Sequence, residues 1–176
     1  EAVPLKQNID NLFTIFQPLC QQQQKTLQAS SIDCQLGVWA DSKLLDRILT
    51  NLLSNALKYT PAGGKISIDV KAEADKVQII VSDTGIGISP KEQKKLFTSF
   101  FRASNAISSG TPGIGLGLLQ AKRFATLLKG DIKVNSIVNQ GSEFMLILNK
   151  AAVTASAVPT ATPITKDFTT TENTTL

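Results

Sequence analysis

Apolar residues in and around the stretch 46–61 recur at steps of three and four: Leu45, Ile48, Leu49, Leu52, Leu53, Ala56 and Leu57. That spacing predicts an amphipathic helix with one face on a core. The other face carries Asn51, Asn55 and Lys58 at i, i+4 and i+7, which confines them to roughly 60° of arc. Arg47 continues the line one turn earlier. Two carboxamides and an ammonium stacked this way can hold a hydrated cation and its anionic partner. Taken alone, the pattern also describes an ordinary solvated helix face. Asp41 or Ser42 is the expected N-cap, and Thr60-Pro61-Ala62-Gly63-Gly64 the expected stop.

Upstream, residues 2–6 read as a short strand or lead-in. Ile9, Leu12, Phe13, Phe16 and Leu19 give a helical run that fades over residues 21–25, with Pro18 marking a kink or break. Residues 27–35 and 38–40 read as short strands. Downstream, Ile66, Ile68 and Val70 alternate with polar residues in one half-buried strand. Val77, Ile79 and Val81 form a second, ending at Asp83. Residues 90–97 suggest a short helix and 103–112, rich in Ser, Asn, Gly and Thr, a mobile loop. A further helix runs from the glycines at 113–117 to about Lys129, with Leu118, Leu119, Phe124, Ala125 and Leu128 inward and Gly130 ending it. Strands at 131–138 and 142–148 meet at the turn Asn139-Gln140-Gly141. The class implied is α+β: a two-layer α/β sandwich, helices on one face of a mixed, largely antiparallel sheet.

Length allows one domain, residues 1–150, and a tail, 151–176, whose nine Thr and two Pro read as a linker. No apolar run approaches the roughly 18 residues a membrane span needs, and no signal-peptide pattern opens the chain. The first residue is Glu, so the expectation is a cytoplasmic piece excised from something larger, with no membrane contact of its own. Net charge is +4, and the basic residues are scattered apart from Lys91, Lys94 and Lys95, with no aromatic residues between them. Nothing there calls for nucleic acid. Cys20 and Cys34 lack metal-ligand spacing and read as buried thiols of a reducing compartment. The chain contains no His, which removes every Ser-His and Cys-His nucleophile scheme.

Two glycine segments carry the remaining chemistry. Asp83 ends a strand directly before Gly85 and Gly87, where a carboxylate can accept from an exocyclic amine while glycine backbone approaches a flat ring. The same residues also suit a simple Asx-turn. Gly113, Gly115 and Gly117 precede a helix N-terminus, whose free N–H groups favour phosphate. No parallel β-α-β unit frames them and no Gly-Lys-Ser/Thr follows, so neither a dinucleotide fingerprint nor a Walker loop is present.

Taken in order, the series Asn-x3-Asn-Ala-x-Lys-Tyr-Thr-Pro, Asp-Thr-Gly-Ile-Gly-Ile, Leu-Phe-x-x-Phe-Phe-Arg and Gly-Thr-Pro-Gly-Ile-Gly-Leu-Gly-Leu resembles the ATP-binding domain of bacterial sensor histidine kinases. Gyrase-type ATPases, the heat-shock chaperone and mismatch-repair ATPases share that superfamily. The resemblance covers residues 2–149. It implies that Asn55 holds Mg²⁺, with Asn51 supporting the metal or its waters, and that Lys58 faces the phosphates with Tyr59 at the nucleotide's edge. Asp83 would bind the adenine amine, and Gly85, Gly87 and Ile88 would line the base pocket. Phe97 and Phe100 would flank a lid over residues 103–112, and Arg102 would reach the γ-phosphate. Gly113, Gly115, Leu116 and Gly117 would form the phosphate-facing hinge, which Pro112 should stiffen.

ATP-hydrolysing members of the superfamily place Glu where this chain has Asn51. An amide cannot take a proton from water at neutral pH. The reading is therefore a catalytic domain that passes the γ-phosphoryl group of Mg·ATP to a His on a separate dimerisation domain. A response regulator or receiver domain would be the next partner, and the tail would lead to a further module, as in a hybrid kinase. Two alternatives remain on the same fold: an anti-sigma-type protein-serine kinase, and a non-catalytic module that holds ATP only to regulate docking.

Overall fold

The computed structural model describes residues 1–108 and 115–153. In chain order these form β1 (Ala2–Pro4), α1 (Leu5–Gln22), β2 (Thr26–Ala29), β3 (Leu36–Trp39), α2 (Ser42–Tyr59), β4 (Lys65–Glu73), β5 (Lys76–Asp83), α3 (Pro90–Gln93), α4 (Ser104–Ser108), α5 (Gly117–Leu127), β6 (Asp131–Ile137) and β7 (Gly141–Ala152). The strands make one sheet in the order β1-β3-β7-β5-β4-β2, with β6 beside β7. Only β2 and β4 run parallel.

The long strand β7 joins the sheet's halves. One edge pairs with β5 from Ser142↔Asp83 to Asn149↔Lys76. The other edge pairs first with β6 and then, from Lys150 to Ala152, with β3. Register aligns every second residue on one face: Ile68, Val81 and Phe144 lie side by side, as do Val70, Ile79 and Leu146. That face is apolar and meets the helices, while Ser67, Asp69 and Gln78 point the other way. A sheet covered on one side only is what period-two alternation encodes.

All seven apolar residues read as the inner stripe of α2 are buried. Asp41 caps the helix, its carboxylate accepting from the Leu44 N–H at 3.0 Å. Helix α5 packs beside α2 through the fully buried Ala121 and Ala125. Small side chains there permit a close approach, and Leu118, Phe124 and Leu128 pack around them, partly buried. The fold is thus the expected α+β sandwich. No helix among the described residues is long and apolar enough to cross a membrane.

Several local expectations are corrected. Helix α1 continues through Pro18 to Gln22. Pro18 and Thr14, whose carbonyl loses its helical partner at a proline four residues on, both lie on the exposed side, where water can satisfy that carbonyl. Cys20 is buried but Cys34 is exposed. Residues 30–35 do not extend β2, and α3 stops at Gln93. The segment read as a loop from residue 103 contains α4, with Ala106 buried. Strand β7 passes two residues beyond Lys150, so the composition change marks a point inside the strand. Residues 109–114 and 154–176, including Pro112, Gly113 and most of the tail, lie outside the described residues.

Candidate functional site

Five stretches converge on a cavity of about 290 Å³. The last turns of α2 contribute Asn55, Lys58 and Tyr59, and the end of β5 with its loop contributes Asp83, Ile86, Gly87 and Ile88. Leu96, Phe101, Arg102, Ala103, Asn105 and Ala106 form a wall. The start of α5 adds Gly115, Leu116, Gly117 and Leu118, and β7 adds Ser142 and Phe144.

At one end, Asp83 Oδ1 accepts from the Gly85 N–H at 2.8 Å, so the Asx-turn is real. The carboxyl also borders the cavity. Burial pushes its pKa up to about 6, against the opposing pull of backbone N–H groups from Gly85 and Ser142. The loop after it is tied on every side. Ile86 N–H donates to the Tyr59 carbonyl at 3.2 Å, and Asn139 N–H to the Ile86 carbonyl at 2.8 Å. Ile88 N–H donates to Ser136 Oγ at 2.8 Å. Ser136 in turn donates to the Gly141 carbonyl, which leaves Ser142 as donor in their 3.0 Å hydroxyl contact.

The two glycines of this loop serve packing first. A Cβ on Gly85 would lie 2.4 Å from the Tyr59 carbonyl oxygen. Gly87 has φ +63°, and a Cβ there would lie 2.0 Å from the Ile137 carbonyl oxygen. Only glycine lets the loop thread between the end of α2 and the β6–β7 turn.

The opposite end lies between α2 and α5. Lys58 Nζ sits 5.1 Å from the centre of the Tyr59 ring, and Arg102 Nη2 donates to the Ala106 carbonyl at 3.3 Å. The entry to α5 presents Gly115, Leu116 and Gly117, where free helix N–H groups favour an anion.

Of the sequence-predicted residues, Asn55, Lys58, Tyr59, Asp83, Gly87, Ile88, Arg102, Gly115, Leu116 and Gly117 border the cavity together. Asn51 and Gly85 do not. Asn51 sits behind the start of α5, with Oδ1 3.4 Å from the position of a Cβ on Gly117. Phe97 packs into the core under Lys122 Nζ, 5.0 Å from its ring, and Phe100 is 70% exposed. Of this aromatic segment it is Phe101, one position on, that reaches the cavity. Sequence reasoning also missed Ser142, Phe144 and Asn105. Pairing of Asp83 with Ser142 would have found the first two; nothing in the sequence marks Asn105.

A family model described as histidine kinase-, DNA gyrase B-, and HSP90-like ATPase matches residues 40–152. The sensor-like histidine kinase SenX3 of Mycobacterium tuberculosis is 42% identical over 113 residues, covering 64% of this chain and 28% of the relative. The histidine protein kinase SaeS of Staphylococcus aureus is 31% identical over 157 residues, covering 88% of this chain and 45% of the relative. The chain thus spans less than half the length of these curated relatives. Among solved structures, the catalytic domain of histidine kinase ThkA superposes with a TM-score of 0.74 at 24% identity, covering 85% of this chain and 96% of that one. The mycobacterial sensor histidine kinase MprB gives 0.72 at 24%, covering 87% and 99%. Likeness at that identity speaks for the fold. With more than half of its residues matched by the family model, the chain belongs to the histidine kinase-, DNA gyrase B- and HSP90-like ATPase family.

Proposed function

We propose that this chain is the catalytic domain of a sensor histidine kinase. It binds Mg·ATP and passes the γ-phosphoryl group to a His on a separate helical dimerisation domain, from which a response regulator or receiver domain takes it. One observation carries the reading: Asn55, Asp83 and Gly115, from three distant segments, border one cavity. Adenine lies at the Asp83 end, where the carboxylate accepts from its amine, with Gly87 and Ile88 beside the ring. The triphosphate lies toward Asn55, Lys58, Arg102 and the start of α5. Lys58 and Arg102 offset charge in the transferring group, and the enzyme's contribution is positioning and electrostatics.

The residues present fit Mg²⁺. Asn55 offers one carboxamide oxygen at the cavity, and the described residues hold no cluster of three or more carboxylate or thiol ligands. That donor set suits an ion that keeps its waters and leans on phosphate. Mg²⁺ would bring charge neutralisation of the phosphates. Asn51 cannot deprotonate water, which favours transfer to a nucleophile from elsewhere over hydrolysis. This reading places the domain in the cytoplasm and makes the Thr/Pro-rich residues a linker to a further module.

The test is incubation of the chain with labelled ATP, Mg²⁺ and a His-bearing helical hairpin from a sensor kinase. Label on the hairpin that is lost in acid and kept in base supports transfer to His. Acid-stable label points to the serine-kinase alternative. ATP binding with no label on any supplied hairpin leaves the non-catalytic module as the better account.

A further inference from the structure

We infer that Asn105 is a positioning residue that seats α4 on the loop cradling the purine, so that the base alone, without its phosphates, fixes α4. The inference deepens the nucleotide reading above and rests on it for the identity of the ligand. Asn105 Nδ2 donates to the Gly87 carbonyl at 2.8 Å and to the Ile86 carbonyl at 3.3 Å. Both acceptors belong to the loop that follows Asp83, and Asn105 itself borders the cavity. Its Oδ1 is buried and has no hydrogen-bond partner among the described residues. The hold is therefore made by donors only. Glu92 completes the seat from the outer side, its carboxylate accepting from the Ser104 N–H at 2.8 Å at the first residue of α4.

The geometry couples two things the motif pattern keeps apart. Residues 104–108 follow Arg102, at the anionic end of the reading, yet the contact of Asn105 is with the base end. A purine pressed against Gly87 and Ile88 holds the two carbonyls that Asn105 grips. Fewer excursions of that loop mean fewer excursions of α4.

Hydrogen exchange on the intact chain decides the matter, with adenosine and ATP as separate probes. Adenosine is expected to slow exchange at Ala106 and Ile107 as well as at Ile86 and Ile88. The variants Asn105→Ala and Asn105→Asp separate a donor clamp from filled space. Asp keeps the volume but turns a carboxylate toward two carbonyls, so it should be the worse of the two. In the ligand-free chain it should raise exchange at Ile86 and Ile88 about tenfold, and it should weaken adenosine about tenfold. Two results overturn the inference: Asn105→Ala disturbing the loop more than Asn105→Asp, or ATP slowing α4 while adenosine binds and does not. If the unmodified chain binds neither probe, the nucleotide reading itself fails and takes the purine half of this inference with it. The ligand-free exchange comparison still decides whether Asn105 clamps the loop.

Discussion

The Asp83 end of the cavity is held by partners far away in the chain, whereas at the end between α2 and α5 the contacts described for the Lys58 and Arg102 side chains are with near neighbours. Asp83 meets Ser142, Ile86 meets Asn139, and Ile88 meets Ser136. Lys58 lies over the adjacent Tyr59, and Arg102 reaches the carbonyl of Ala106 within its own stretch. A site ordered before binding loses little entropy when it is filled, while long side chains must be ordered by what arrives. On the proposed reading, the Asp83 end would hold the base with little ordering cost, and the phosphates would order the other end.

The largest expected effect follows from a tight point of the ordered end. Gly87→Ala places a methyl on the Ile137 carbonyl in a left-handed backbone conformation, so the loop must move. Nucleotide affinity should drop more than about 100-fold by calorimetry, with the domain destabilised by roughly 1–3 kcal/mol. Gly115→Ala is the matched variant at the other end. A smaller loss of adenosine binding there than at Gly87 is what the contrast demands.

Asp83→Ala comes next. Loss of a charge-assisted hydrogen bond should weaken ATP by about 1.5–3 kcal/mol, roughly 10- to 150-fold. The pH dependence is sharper still. With the folded pKa near 6 and the unfolded one near 4, the native state binds more protons in between. Stability therefore falls as pH rises from about 4 to 6, and above 6 the buried charge costs on the order of 2–3 kcal/mol. Asp83→Asn should melt higher than the parent at pH 8, the difference vanishing toward pH 4. Its adenosine affinity should be low and flat with pH, whereas the parent's should decline only below about pH 6.

The same contrast explains what could be read from the chain. Period three-and-four in α2 and period two in β4, β5 and β7 reflect burial directly, so the core and sheet faces were predictable from local spacing. Asp83, Gly87 and Lys58 were found because they sit in short patterns. Ser136, Ser142 and Asn105 were not, because their roles depend on partners brought in by the sheet register or by the return of α4 onto the loop. Asn51 lies on the helical line of Asn55 and Lys58, as the spacing predicts, but Gly117 at the start of α5 stands beside it and it does not border the cavity.

At the locally held end, Asn55→Ala should act through the metal. Nucleotide titrations with and without Mg²⁺ should coincide in this variant and differ in the parent. Adenosine, which carries no phosphates, should bind both alike. A variant that keeps the parent's Mg²⁺ dependence would move the metal away from Asn55.

The smallest effect concerns the outer seat of α4. Glu92 accepts from Ser89 Oγ at 2.7 Å and from the Ser104 N–H, and these bonds hold its carboxyl down at about pKa 2. A depressed pKa contributes stability above the unfolded value near 4.5, and that contribution is lost as pH falls toward 2. The group is largely open to solvent, so Glu92→Gln should cost less than about 1 kcal/mol at pH 7. The melting difference between parent and variant should shrink between pH 5 and pH 3. Exchange at Ala106 and Ile107 should rise, while Ile86 and Ile88 stay as they were, because Asn105 still grips the loop. Should Ile86 and Ile88 loosen as well, the outer seat and the base end are one unit, and the separation between the two ends of the cavity is drawn in the wrong place.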